Sequence, residues 1–138
     1  MCQTIQKPAK RSQGMNFVRK DKRLAIYLRD GFACIYCGST IEDGATMSLD
    51  HVKPYSQGGS NSERNLVTCC KKCNSSRGAR NVEAFVTATA SYINHGVQAE
   101  DILASIRSNT RKSLKPYREQ AKQIIASRPT WQAALNNA

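Results

Sequence analysis

Apolar residues recur along this chain in short groups whose spacing changes from helical to alternating and back. Leu24, Tyr27 and Leu28 share one face of a helix predicted over Arg19–Asp30, with Gly31 as its stop. The other face is basic, with Arg19, Lys20, Lys22, Arg23 and Arg29. Phe32 to Gly38 reads as a short strand running into a tight turn, and Glu42-Asp43-Gly44 as the turn of a hairpin. From Ala45 to Val52 the period is two: Met47, Leu49 and His51 alternate with Thr46, Ser48 and Asp50, predicting a strand that Pro54 ends. Residues 55–62 form a Gly/Ser/Asn loop, and a helix over Asn65–Ser76 would carry Cys70, Cys73 and Asn74.

The remainder reads as helices. Val82, Phe85, Val86, Thr89 and Ile93 line one face, with Asn81 as N-cap and Gly96 beyond the end. Ile102, Leu103 and Ile106 follow, then Tyr117, Ala121, Ile124 and Ile125 behind Pro116 at a first helical position, and a last short helix with Trp131, Ala134 and Leu135. Residues 1–17 lack any period and predict a flexible arm, with Cys2 as a free thiol. Together these elements predict an α+β fold: a small hairpin-and-helix core flanked by an N-terminal helix and C-terminal helices.

Charge adds a partner to this picture. Of the formal net charge of +11, residues 1–30 carry +6 (eight Lys/Arg, two acids) and residues 101–138 carry +5 (seven and two), while 31–100 holds six of each. A neutral centre between basic flanks suits a polyanion held on both sides, whereas solubility alone does not require a pI near 9.7. The basic, polar N-terminus is no signal peptide, and the run Leu24–Leu28 is far short of a membrane span. A soluble, cytoplasmic protein without membrane partners is expected.

The cysteines add a metal. Cys34/Cys37 and Cys70/Cys73 are two C-x2-C pairs, and two such pairs complete a tetrahedral four-thiolate zinc site. Disulfides are the alternative; with no export signal, metal binding is the better reading. The 32 residues between Cys37 and Cys70 exceed the usual spacer of about 15–20, so the site closes a loop with content of its own. Cys69 competes with Cys70, but C-x2-C fits better than C-x3-C, which leaves Cys69 buried and inert.

Inside that loop the segment LDHVKPYSQGG, the dipeptide Asn65-Leu66 and the closing CCKKCN stand in a characteristic order. This arrangement, over roughly Val18 to Arg80, resembles the HNH endonuclease family of the four-Cys type. The resemblance implies a ββα-metal fold in which a hairpin and a helix clamp one divalent ion, and cleavage of phosphodiester bonds, usually in DNA, to 5′-phosphate and 3′-hydroxyl products. With the residue pattern on either side, it gives three expected parts: an arm at 1–17, a nuclease core at 18–80 and a helical extension at 81–138.

The same resemblance makes His51 the general base, a task suited to a neutral imidazole near neutral pH. Alone in a strand, His51 would read as a hydrogen-bonded structural residue; His95, outside the motif, reads as a surface residue. Asp50 and Asn74 match metal-ligand positions. Asn74 stands where many members have a final His, and an Asp/Asn oxygen pair favours Mg2+ or Mn2+. Asp50 would otherwise hydrogen-bond within the hairpin. Asn65 matches the middle Asn of the motif, which holds the loop and orients the base; an N-cap for the helix after it is compatible with that. Gly58-Gly59 lets the loop turn tightly or simply flex. Lys53, Arg77 and Arg80 are candidate nucleic-acid contacts, Arg77 and Arg80 on a basic patch that could equally be a solvated face. The rival function is a non-catalytic, zinc-stabilised nucleic-acid-binding module, which would need neither Asp50, His51 nor Asn65.

Overall fold

A computed structural model describes the backbone of residues 18–92 and 96–136 and the side chains of 18–91 and 96–127. The expectations for the basic arm, Cys2, Ile93, His95 and the side chains of Trp131, Ala134 and Leu135 lie outside the described residues. Helix α1 (Lys20–Arg29) is followed by turns, by strands β1 (Met47–His51) and β2 (Leu66–Cys70), and by helices α2 (Lys71–Arg77), α3 (Val82–Tyr92), α4 (Ala99–Arg111) and α5 (Lys115–Asn136). This is a small α+β fold with a ββα unit at its centre. Among the described residues no helix is long and apolar enough to cross a membrane.

Strands β1 and β2 pair antiparallel, with Met47 opposite Cys70 and His51 opposite Leu66. The second strand is a correction. Residues 65–70 were expected on a helix, but Leu-Val-Thr-Cys-Cys is a short run without helical spacing, and all five residues are buried. Such a run satisfies a strand covered on both faces. The helix starts only at Lys71, where the Cys70 thiol caps it by accepting from the Cys73 amide at 3.3 Å. Phe32–Gly38 forms no strand either: Ala33 and Thr40 make an isolated bridge, and the expected turn at 42–44 leads out of it. The partner of β1 is therefore the distant β2, reached through residues 52–65.

Two apolar clusters cover the sheet. One gathers Tyr36, Met47, Val67, the thiol side chains and Phe85, Val86, Ile102 and Ile106 from α3 and α4. The other gathers Ala25, Ile26, Leu49, Leu66, Leu114 and Ala121, and joins α1 to α5. The C-terminal helices thus share the core with the ββα unit. Asn81 caps α3 as expected, its side-chain oxygen accepting from the Ala84 amide at 2.8 Å. Helix α5 runs on from Lys115 without a break before the Trp131 segment, so the two last helices expected are one. Pro116 is its second residue, where a missing N–H still costs nothing.

The basic face of α1 also needs correcting at Arg29. Its side chain is fully buried and forms a bidentate pair with Asp30, at 2.7 and 3.1 Å. The same guanidinium donates to the carbonyls of Glu63 and Leu66, and Asp30 accepts from the Thr68 amide. A buried pair survives only when its remaining hydrogen bonds are met in this way. Here it locks the end of α1 to β2 and to the turn that precedes it.

Candidate metal centre and active site

Cys34, Cys37, Cys70 and Cys73 bring their sulfurs within 4.8 Å of one another. Cys37 and Cys70 stand 3.8 Å apart, the edge of a tetrahedron whose centre lies about 2.3 Å from each sulfur, as in zinc thiolate sites. Backbone amides support the cluster: the Cys37 N–H approaches the Cys34 sulfur at 3.5 Å. The hydrogen bond from the Cys73 thiol lowers the Cys34 pKa to about 5 against the opposing effect of burial, with help from the Cys37, Cys70 and Tyr36 amides. That favours thiolate at Cys34 alone: the hydrogen bond to Cys34 raises the Cys73 pKa, and burial raises that of Cys70. Cys69 is separate. Burial pushes its thiol well up, and its partner is the Ser48 hydroxyl at 3.5 Å. All five described cysteines are free of disulfides.

From this cluster, β1 and α2 converge. Asn74 follows Cys73 and turns its amide nitrogen onto β1, donating to the Ser48 hydroxyl at 3.0 Å and the Leu49 carbonyl at 3.4 Å. These bonds use Nδ2, so Oδ1 is the atom suited to an ion. Asp50, 8% exposed, faces the same helix, and its Oδ2 accepts from Arg77 at 2.6 Å and from the Tyr36 hydroxyl at 2.5 Å. The other carboxylate oxygen, Oδ1, is again the one suited to a cation. Asp50 and Asn74 thus each keep an oxygen that none of these bonds uses, and such oxygens are the ligand type that a hard divalent ion takes.

Arg77, expected as an exposed phosphate contact, is 1% exposed. Besides Asp50 it donates to the His51 and Val52 carbonyls, at 2.7 Å each, and through Nε to the Arg80 carbonyl at 2.9 Å. Burial opposes its charge, but the Asp50 carboxylate and the Tyr36 hydroxyl together outweigh burial, and the Arg77 pKa is raised. Burial, reinforced by the Asp50 charge, also raises the Tyr36 pKa well above its ordinary value. Arg77 therefore ties together the end of β1, the Asp50 carboxylate and the exit of α2. Lys53 and Arg80 are exposed; Arg80 lies over the Phe85 ring at 5.1 Å, and its NH2 donates to the Ser76 carbonyl.

His51 leaves the strand in another direction. Its Nε2 stands 2.8 Å from Asn61 Oδ1, and its ring lies 5.7 Å from that of Tyr55. A carbonyl oxygen only accepts, so this contact puts the proton on Nε2 and the basic lone pair on Nδ1. The strand alternation thus persists: Asp50 goes to α2, His51 to the loop. Asn61 carried no signal in the sequence, being one polar residue among several in a Gly/Ser/Asn stretch.

Asn65 holds that loop. Its Oδ1 accepts from the Lys53 amide at 2.9 Å, while Nδ2 donates to the Lys53 and Ser60 carbonyls at 3.2 and 2.9 Å. It closes a short turn and leads into β2, so it is no helix cap. Gly59 presses into the same clamp: a Cβ there would stand 1.8 Å from the Lys53 carbonyl oxygen. That position admits only glycine, for close approach rather than flexibility.

Comparison with known proteins bears on this geometry. Residues 34–80 match the family model described as HNH endonuclease. The CRISPR-associated endonuclease Cas9 of Actinomyces naeslundii is 50% identical over 56 residues, 40% of this chain and 5% of that protein. The Cas9 of Corynebacterium diphtheriae is 41% identical over 51 residues, 36% of this chain and 5% of that protein. Among solved structures, the Type II-C Cas9 enzyme from Actinomyces naeslundii aligns with 80% of this chain and 13% of its own, at 22% identity and a TM-score of 0.43. The chain spans 5% of the length of the curated relatives it matches.

Proposed function

We propose that this chain, whose residues 34–80 belong to the HNH endonuclease family, is a metal-dependent endonuclease that hydrolyses phosphodiester bonds in DNA. The observation that carries the reading is the histidine. His51 ends β1 with its Nε2 engaged by Asn61, while its chain neighbour Asp50 turns to α2, from which Asn74 bonds back to β1. A module that only binds nucleic acid needs no such arrangement.

In this reading His51 takes a proton from the attacking water through Nδ1. Asp50 and Asn74 would hold Mg2+ or Mn2+, which would supply positive charge against the negative charge that develops at the phosphate. Arg77 keeps the Asp50 carboxylate turned to α2, and Asn65 holds the strand-exit loop so that His51 keeps its direction. The four thiolates would hold a structural zinc, which would pin Cys73 and, one residue on, Asn74. Lys53 and Arg80, both exposed, contribute affinity for the phosphate backbone. A reducing, cytoplasmic setting suits the free thiols.

The test is single-turnover plasmid cleavage with Mg2+ or Mn2+, beside DNA binding without either. His51→Ala should lower cleavage by roughly 10²–10⁴-fold with the dissociation constant barely changed. Loss of binding with normal cleavage of the bound fraction would make His51 a DNA contact and leave the nuclease reading without its base.

A further inference from the structure

A cavity of about 450 Å3 opens at the junction of α4 and α5, apart from the thiol cluster and from His51. Six of its ten lining residues are cationic: Arg64, Arg111, Lys112, Lys115, Arg118 and Lys122. Lys115, Arg118 and Lys122 follow at helical spacing, so the first turns of α5 present one charged face. The junction is fixed: Leu114 is buried in the α1–α5 core, and the Ser113 hydroxyl accepts from the Lys115 amide at 3.3 Å. Two acids also line the cavity. Glu63 is paired with Lys22 at 3.8 Å, and Glu119 is exposed. Arg118 is paired with Asp21 at 3.4 Å. The other five cations have no ion-pair partner among the described residues. Five like charges converging on one concave wall repel one another and focus a positive potential into it.

The wall has a second property. Glu63 and Arg64 belong to the turn that runs from Asn61, the His51 partner, to Asn65, the loop clamp. One side of the cavity is therefore formed by the turn whose two ends carry the His51 partner and the loop clamp.

We propose that this cavity is a second binding site for phosphodiester backbone, one that holds the DNA flanking the cut while His51 acts on the scissile phosphate. The proposal rests on the nuclease reading for its choice of DNA. The shared chemistry is phosphate, and a small polyphosphate is the other source of it.

The test compares Lys112→Ala/Lys122→Ala with a charge-matched control, Lys20→Ala/Lys72→Ala; all four side chains are exposed, so both proteins should fold. Binding of a DNA duplex is titrated against salt with no Mg2+ or Mn2+ added. Each lost phosphate contact should reduce the slope of log K against log salt by about 0.9. For the cavity variant that is a reduction of about 1.8, so between 50 and 200 mM salt the parent should lose roughly 12-fold more affinity than the variant. The control should keep more of the parental slope, and cleavage of saturating DNA by the cavity variant should match the parent. Equal slopes for the cavity variant and the parent, or equal losses in both doubles, would overturn the site. So would pyrophosphate that binds the parent but not the variant while DNA affinity is unchanged, since the cavity would then take small polyphosphates. Failure of the parent to cleave DNA would count against the nuclease reading and leave the binding comparison intact.

Discussion

Replacing Arg77 by Met separates a structural from a nucleic-acid role for that residue. Methionine keeps much of the side-chain volume and removes every donor. Asp50, 8% exposed, then loses its charged partner at 2.6 Å, and the His51, Val52 and Arg80 carbonyls lose their donors. Removing one partner of a buried ion pair typically costs about 3–5 kcal/mol, because the other charge is left uncompensated. That is a large part of the roughly 5–15 kcal/mol that holds a domain together. Arg77→Met should accordingly lower the unfolding free energy by at least about 3 kcal/mol, read as a fall in the urea midpoint at fixed, saturating zinc. Adding Asp50→Asn removes the stranded charge while keeping an acceptor for the Tyr36 hydroxyl, so the double variant should be more stable than Arg77→Met alone. A loss under about 1 kcal/mol, the range of a surface pair, would refute the buried-pair argument. So would a double variant less stable than the single. An exposed phosphate contact would instead leave stability unchanged and lower the salt slope of DNA binding by about 1.

Three further outcomes follow from the site. Gly59→Ala places a methyl group 1.8 Å from the Lys53 carbonyl oxygen; it should cost at least about 2 kcal/mol in urea unfolding or displace the loop, seen as shifted amide resonances for residues 53–65. Cys70→Ser should lose bound zinc and much of the folding free energy, whereas Cys69→Ala should keep one zinc per chain by metal analysis, since only Cys70 belongs to the cluster. Asn61→Ala removes the acceptor that selects the His51 tautomer; single-turnover cleavage should fall by about 10–100-fold at unchanged DNA affinity, and Asn61→Asp, which keeps an acceptor, should recover much of it.

The four-cysteine cluster was more legible in the sequence than the pairing of the strands. Metal ligands and a proton acceptor must be particular residue types at particular spacings, so Cys34, Cys37, Cys70 and Cys73 could be recognised without a structure. The geometry chose Cys70 over Cys69, as spacing had suggested. Strand β2 was missed because a five-residue apolar run has no period of its own. What makes it a strand is coverage on both faces by helices distant in sequence, and no local window contains that. Arg29 and Arg77 were misread for a related reason. A charged residue at a helix end looks like surface until its partners are known, and those partners are backbone carbonyls and carboxylates, which have no distinctive spacing.

Cys70 shows why the four-thiol cluster and the candidate active site are mechanically one object. It ends β2 opposite Met47, caps α2 through its sulfur and belongs to the four-thiol cluster. Fixing its sulfur therefore fixes the strand end and the helix start together. Four residues later Asn74 meets β1 at Ser48 and Leu49, and three after that Arg77 meets Asp50 and the His51 carbonyl. Over seven residues, two turns of one short helix, the cluster is coupled to both oxygen donors and to the backbone of the proposed base. An α2 of 7 residues is too short to be stable alone. Its order must come from Cys70 and Cys73 at one end and Arg77 at the other, so a disturbance at either end should reach Asn74.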